Sequence, residues 1–231
     1  AVGGLVAQWY FSDRMALFGM KARVVTPEQA PQLHAIVDRL CAMADMPKPR
    51  VAISDTHLPN AFATGRSPQR SVVCVTTGLL QRLDPDEVEA VLAHELSHVA
   101  HRDVLVMTLA SVAGVVAGFL TRMVLWGGLG RSRGRDANGA AMVAIVLLVS
   151  VLVYAVSFLL TRVLSRYREL SADRAGALLT GRPAVLASAL QKVTGSIAQI
   201  PSRDLRAAEN FNAFFFAPAL APGQSLSNLF A

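Results

Sequence analysis

Several things are scarce in this 231-residue chain, and each scarcity closes off a class of protein. There are only two cysteines, Cys41 and Cys74. A secreted scaffold stapled by disulfides needs more, and so does a zinc module built from cysteine alone. Acidic residues number 16 against 22 Lys and Arg, giving a net charge of +6. The basic excess is dispersed rather than gathered on one segment, so no nucleic-acid-binding face is expected. The apolar start, Ala1–Phe11, lacks the basic leader of a signal peptide. Charge itself is missing from two long runs, Val104–Thr121 and Ala137–Thr161. No internal repeat or low-complexity tract interrupts the chain.

What is abundant is apolar surface. Hydrophobic residues make up 53% of the chain and mean hydropathy is +0.42, above the roughly 45–50% of ordinary soluble domains. As a helix, Val104–Thr121 would be about 27 Å long and Ala137–Thr161 longer, against a hydrocarbon core of roughly 30 Å. Both read as membrane helices, joined through Arg122 and residues 127–139 as a hairpin. Two helices buried in a soluble core are the alternative. Ala1–Phe11 is too short to span alone and is expected to be the end of another membrane helix, with Ser12, Asp13 and Arg14 at its exit into water. Arg14, Lys21, Arg23, Arg102, Arg162, Arg166 and Arg168 sit beside the apolar runs, and such residues favour the cytoplasmic side. Arg131, Arg133 and Arg135 in the far loop of the hairpin work against that bias.

The densest chemistry is His94-Glu95-Leu96-Ser97-His98. Asp84, Pro85 and Glu87 open a helix upstream of it as N-cap, first residue and capping-box partner. Val88, Val91, Leu92, Leu96 and Val99 supply its apolar side. Residues four apart share a helix face, so His94 and His98 can aim two imidazoles at one metal ion. Glu95 stands about 100° round the same turn, beside such an ion without ligating it. That is the arrangement of a general base next to a metal-bound water.

A catalytic zinc takes a third protein ligand. His101 follows His98 too closely for three ligands on one straight helix to reach tetrahedral corners. Glu169 is the better choice, on a helix expected over Arg162–Thr180 and ended by Gly181-Arg182-Pro183. Asp173 lies one turn beyond it, where a carboxylate can accept the free ring N–H of a ligating histidine. The rival role for Glu169 is an ion pair with Arg162 or Arg166 on its own helix.

Elsewhere, Thr26, Pro27 and Gln29 predict a helix start, with Leu33, Ile36, Val37 and Leu40 as its apolar stripe. Val51–Ser54, Ala61–Thr64 and Ser71–Thr77 read as three strands of a small sheet, with 65–69 as a turn. Pro183–Ile200 predicts a further amphipathic helix, and Phe211–Ala231 a loop. The fold class is therefore α+β, mainly helical with a small sheet. Four regions follow. Residues 1–12 are expected to be the membrane remnant and 13–103 the first part of the domain that carries the His94–His98 motif. Residues 104–161 form the hairpin, and 162–231 the second part of the domain.

These motifs resemble those of the HtpX-type membrane zinc metalloproteases of bacteria, relatives of the CAAX prenyl endopeptidases within the gluzincin group. The resemblance runs from about Asp13 to Ile200. It rests on Pro59-Asn60-Ala61-Phe62-Ala63-Thr64-Gly65, Val75-Thr76-Thr77-Gly78-Leu79-Leu80, the stretch Val91 to His98, Arg102-Asp103, the hairpin, and Arg168-Glu169-Leu170-Ser171-Ala172-Asp173. It implies an endopeptidase with one Zn²⁺ per chain held by His94, His98 and Glu169, Glu95 as base, and Asp173 supporting a ligand. It implies a multi-pass protein of the cytoplasmic membrane, with its catalytic domain facing the cytosol, that degrades damaged or misfolded membrane proteins. It also favours Asn60, Ala61, Phe62 and Ala63 as an edge strand to which an extended polypeptide adds. Two departures stand out. A C-terminal His-Pro pair and Arg expected of the family are missing, and His101 occupies the place of a different polar residue. No oxyanion donor is evident; Tyr167 and Arg168 are the nearest choices. A non-catalytic membrane-anchored interaction module, a channel or transporter, and a processing protease for one specific substrate are the competing readings. Transport is disfavoured because neither span carries an ionisable residue at mid-depth.

Overall fold

The computed structural model describes residues 2–131 and 137–198. The far loop of the hairpin with Arg133 and Arg135, and the tail Phe211–Ala231, lie outside the described residues. The chain divides into two compact units, Ala1–Tyr10 with Asp103–Leu170, and Phe11–Arg102 with Ser171–Ala231.

The second unit is built on a four-stranded sheet. Its strands are β1 (Arg23–Val24), β2 (Arg50–Ser54), β3 (Ala61–Ser67) and β4 (Arg70–Thr76), in the order β1-β2-β4-β3. β2 runs parallel to β4, and the other two pairings are antiparallel. Val51, Val73, Val75 and Ala61 point to one face, towards α3 (Pro31–Met43) and α5 (Pro85–Ala100). Ala52, Val72, Cys74 and Phe62 point to the other, where α2 (Ser12–Gly19) brings Ala16. A strand covered on both faces has no reason to alternate apolar with polar, and β4 accordingly reads Ser-Val-Val-Cys-Val-Thr.

Four sequence expectations need correction here. The sheet has four strands rather than three, because two-residue β1 is too short to leave a periodic signal. Gly65 lies inside β3 rather than in a turn. It sits at a register shift where a Cβ would fall 2.3 Å from the Arg70 carbonyl oxygen, a close approach that only glycine tolerates. Thr77 leaves the strand to open a short helix, α4 (Thr77–Leu80), capped by the Thr76 hydroxyl on Leu79 N–H at 3.2 Å. The helix expected to start at Thr26 begins instead at Pro31. Thr26 and Gln29 close only a single turn, with Thr26 N–H donating to Gln29 Oε1 at 3.0 Å. Pro31 cannot donate to that turn and excludes Ala30 from helical geometry, so Ala30 adopts φ −145°.

The helix that carries the motif starts as its sequence predicts. Pro85 takes the first position, and the Glu87 carboxylate accepts Asp84 N–H at 3.1 Å. Glu87 also accepts from Ser188 Oγ and Lys192 Nζ, both at 2.8 Å, which docks α8 (Pro183–Ala198) onto the start of α5. Burial alone would raise the Glu87 carboxyl. The hydrogen bonds from Lys192, the Asp84 backbone and Ser188 outweigh it and hold Glu87 below its ordinary range.

The first unit contains α1 (Val2–Tyr10) and α6 (Asp103–Arg131), and α7 (Ala137–Thr180) runs from it into the second unit. The separate helix expected over Arg162–Thr180 is the last part of α7, which continues unbroken for 44 residues. No Gly or Pro stands between Ala144 and Asp173 to interrupt it. Asp103–Met123 and Ala144–Thr180 are long and apolar enough to cross a membrane. Leu109, Leu148, Leu152 and Phe158 are each more than half exposed. Helices this apolar on their outer surface match lipid rather than water.

Candidate metal centre

α5 is buried almost all round, against the sheet and against α8. Val88, Val91, Leu92, Leu96 and Val99 face that core as expected. His94 and Glu95 are nearly sealed as well, at 3% and 5% exposure. A buried imidazole and carboxylate without partners would be costly, so what they face matters.

His94 and His98 bring their Nε2 atoms to 3.3 Å, with rings edge-to-face. Two nitrogens at about 2.1 Å from a tetrahedral zinc lie about 3.4 Å apart, so this spacing suits a shared ion. The other nitrogen of His94, Nδ1, lies 2.9 Å from Asp173 Oδ1. A carboxylate at that distance can hold the proton on Nδ1, which would make Nε2 the ligating atom. Glu169 is one turn before Asp173 on the same continuous helix. The ligand atoms of His94, His98 and Glu169 all lie within 4.8 Å of one another, two imidazoles and a carboxylate as a catalytic zinc prefers. His101 is exposed at the C-cap of α5, outside that group.

Glu95, next to His94 on α5, reaches the sheet. Its Oε2 accepts the backbone N–H of Ala63 at 3.1 Å. Ala63 is in β3, an edge strand of the sheet. Glu95 and β3 are thus in direct contact. Asn60 and Ala61 are fully buried and Phe62 is 5% exposed, so these side chains belong to the core. The start of β3 is pinned by the Thr76 hydroxyl, which accepts Asn60 N–H at 2.9 Å and donates to the Leu58 carbonyl at 2.7 Å.

Three features of the site escaped the sequence reading. The first is the Ala63 N–H, which no side-chain pattern can report. The second is Gly176, where a Cβ would come to 3.0 Å from the His94 backbone nitrogen and 3.2 Å from its Cα. With fully buried Ala172 one turn earlier, it lets α7 lie directly on α5. The small residues at positions 172 and 176, beside Asp173, were the available clue. The third is the buried carboxylate of Asp103, 2.8 Å from Arg168 Nε. Arg168, one of two residues considered for the oxyanion, is committed to that pair, and Tyr167 is 69% exposed.

Comparison with known proteins places the chain in a family. The model of peptidase family M48 matches residues 27–225. Protease HtpX homolog 1 of Streptomyces coelicolor is 62% identical over 225 residues, covering 97% of this chain and 74% of the relative. Protease HtpX homolog of Moorella thermoacetica is 56% identical over 227 residues, 98% and 76% of the two chains. Protease HtpX homolog of Pyrococcus furiosus is 42% identical over 196 residues, 85% and 68%.

Proposed function

The chain belongs to peptidase family M48, among HtpX-type proteases, and on that premise we propose that it is a zinc-dependent membrane endopeptidase using Glu95 as general base. The observation that carries the proposal is the grouping of His94, His98 and Glu169, with His94 backed by Asp173. These three residues would hold the zinc, which when bound polarises the scissile carbonyl and acidifies a water.

The chain's own residues do the rest. Asp173 fixes the tautomer and orientation of His94. Glu95 accepts a proton from the attacking water on a carboxylate oxygen and returns it to the leaving amide nitrogen. The Ala63 N–H aims the Glu95 carboxylate before substrate arrives. A polypeptide in extended form adds along the outer edge of β3 through main-chain hydrogen bonds. Such recognition reads backbone more than side chains, which suits damaged or misfolded proteins of varied sequence, including those in the membrane. The bacterial cytoplasmic membrane, with the peptidase unit on the cytosolic side, is the setting consistent with Arg14, Lys21, Arg23 and Arg102 beside the apolar segments. A purely structural zinc is poorly supported, because Cys41 and Cys74 belong to clusters on opposite faces of the sheet.

The test is metal analysis paired with proteolysis. The purified full chain should carry about one zinc and lose casein cleavage on chelation. Glu95→Gln should keep the metal and cut about 100- to 10,000-fold more slowly. Cleavage at the parental rate by that variant would remove Glu95 from the role of base.

A further inference from the structure

Helix α2 buries one side and exposes the other. Ala16 and Met20 pack into the core. Phe11, Met15 and Phe18 are 43%, 52% and 87% exposed. Spaced by four and then three residues, they line up as one stripe. Phe18 is the most exposed large apolar side chain among the described residues. Cations border the stripe. Arg14, Lys21 and Arg23 are all exposed, and none forms an ion pair among the described residues. Arg14 lies over the Phe11 ring, 6.0 Å from its centre. The nearest acid in sequence, Asp13, is taken by Arg50.

Bulky apolar groups ringed by cations match one kind of surface, an anionic lipid bilayer. Apolar side chains enter the acyl boundary while Arg and Lys meet the phosphates. A second copy of the chain fits less well, since it would set the same cations against each other. Connectivity agrees with lipid. Phe11 directly follows Tyr10, the last residue of α1, in the stretch that joins the unit of the apolar helices to the peptidase unit.

We propose that the stripe of Phe11, at the N-cap of α2, with Met15 and Phe18 within it, seats in the headgroup layer of an anionic phospholipid membrane, with Arg14, Lys21 and Arg23 on lipid phosphates. The peptidase unit then has a lipid contact of its own in addition to its covalent connections. This inference rests on the reading that α6 and α7 cross a bilayer, and the experiment separates the two. Nitroxide labels are attached at Phe18→Cys or Leu109→Cys of the full chain. Both native cysteines are buried with thiols pushed up, which directs labelling to the new site. Each protein is placed in nanodiscs of phosphatidylcholine with or without phosphatidylglycerol, and collision with oxygen is compared with collision with a water-soluble nickel chelate.

Leu109→Cys should read as lipid in both. Phe18→Cys should favour oxygen in the anionic discs and less so in the neutral ones. Combining Arg14→Glu, Lys21→Glu and Arg23→Glu should shift the Phe18 label towards water, since each basic residue contributes about fivefold to partitioning onto an anionic surface. A water-exposed Phe18 label in anionic discs, with Leu109 still in lipid, overturns the proposal. So does a Phe18 signal indifferent to the three reversals. A water-exposed Leu109 label would sink the spanning helices and this proposal with them.

Discussion

At Gly176 two effects of a single methyl group oppose each other. Alanine favours a helix over glycine by about 1 kcal/mol. The added Cβ, however, would meet the His94 backbone at 3.0 Å, and overpacking of that kind costs about 1–3 kcal/mol. Gly176→Ala should therefore change thermal stability little while lifting Asp173 away from His94. Zinc affinity, read by competition with a chelating dye, should fall several-fold. Asp173→Ala should lower it by about 10- to 100-fold, as for other residues that orient a ligand. Glu169→Ala should lower it further still; unchanged occupancy would take Glu169 out of the coordination sphere. The two cysteines play no part. Burial pushes the Cys74 thiol up to about 12 and also raises Cys41, so neither should react with iodoacetamide at pH 8 until the protein unfolds.

Among the elements, two junctions matter most. One is the edge of β3 against α5. Because the Ala63 N–H is given to Glu95 rather than to β4, Ala63→Pro should spare the β3–β4 ladder. Zinc should stay bound while kcat falls and KM rises, through loss of both the donor to Glu95 and the strand edge. The other junction is α8 on α5 through Glu87. Its carboxyl titrates below its ordinary value of 4.5 when folded, so its contribution is present above that pH and is lost as pH drops through the lowered value. Lys192 is shifted the opposite way, above 10.5, chiefly by its hydrogen bond to Glu87. Its contribution is full below 10.5 and fades only in stronger alkali. Chemical denaturation from pH 3 to 7 should show a loss on the acid side that Glu87→Gln flattens.

For the molecule as a whole, the governing fact is that two long helices carry apolar side chains on their outer surfaces. The better window of α7 has a mean hydropathy of 2.6 with only 6% of it buried. A chain of this kind should stay with the membrane fraction after an alkaline carbonate wash, and release into the soluble fraction would argue against spanning helices. The limits of the sequence are also clearest at this scale. The uncharged runs and the His94, Glu95, His98 spacing were legible because each depends on neighbours a few residues apart. The unbroken course of α7 was not. The charges after Thr161 looked like the start of a new element, whereas backbone hydrogen bonding continues through them without a break.

By itself the sequence determined the motif helix with its cap, both apolar runs and the apolar core strands, and it pointed to Glu169 rather than His101 as the proposed third ligand. All of these follow from local periodicity, residue chemistry and what one helix face can present. Tertiary structure decided that the Ala63 N–H of β3 meets Glu95 and that Gly176 lets Asp173 reach His94. It also decided that Asp103 claims Arg168. Each of these joins residues distant in sequence through backbone atoms or through the absence of a side chain. A one-dimensional pattern carries no sign of such contacts, because a backbone N–H is the same in every residue but proline and a glycine does not say what lies against it.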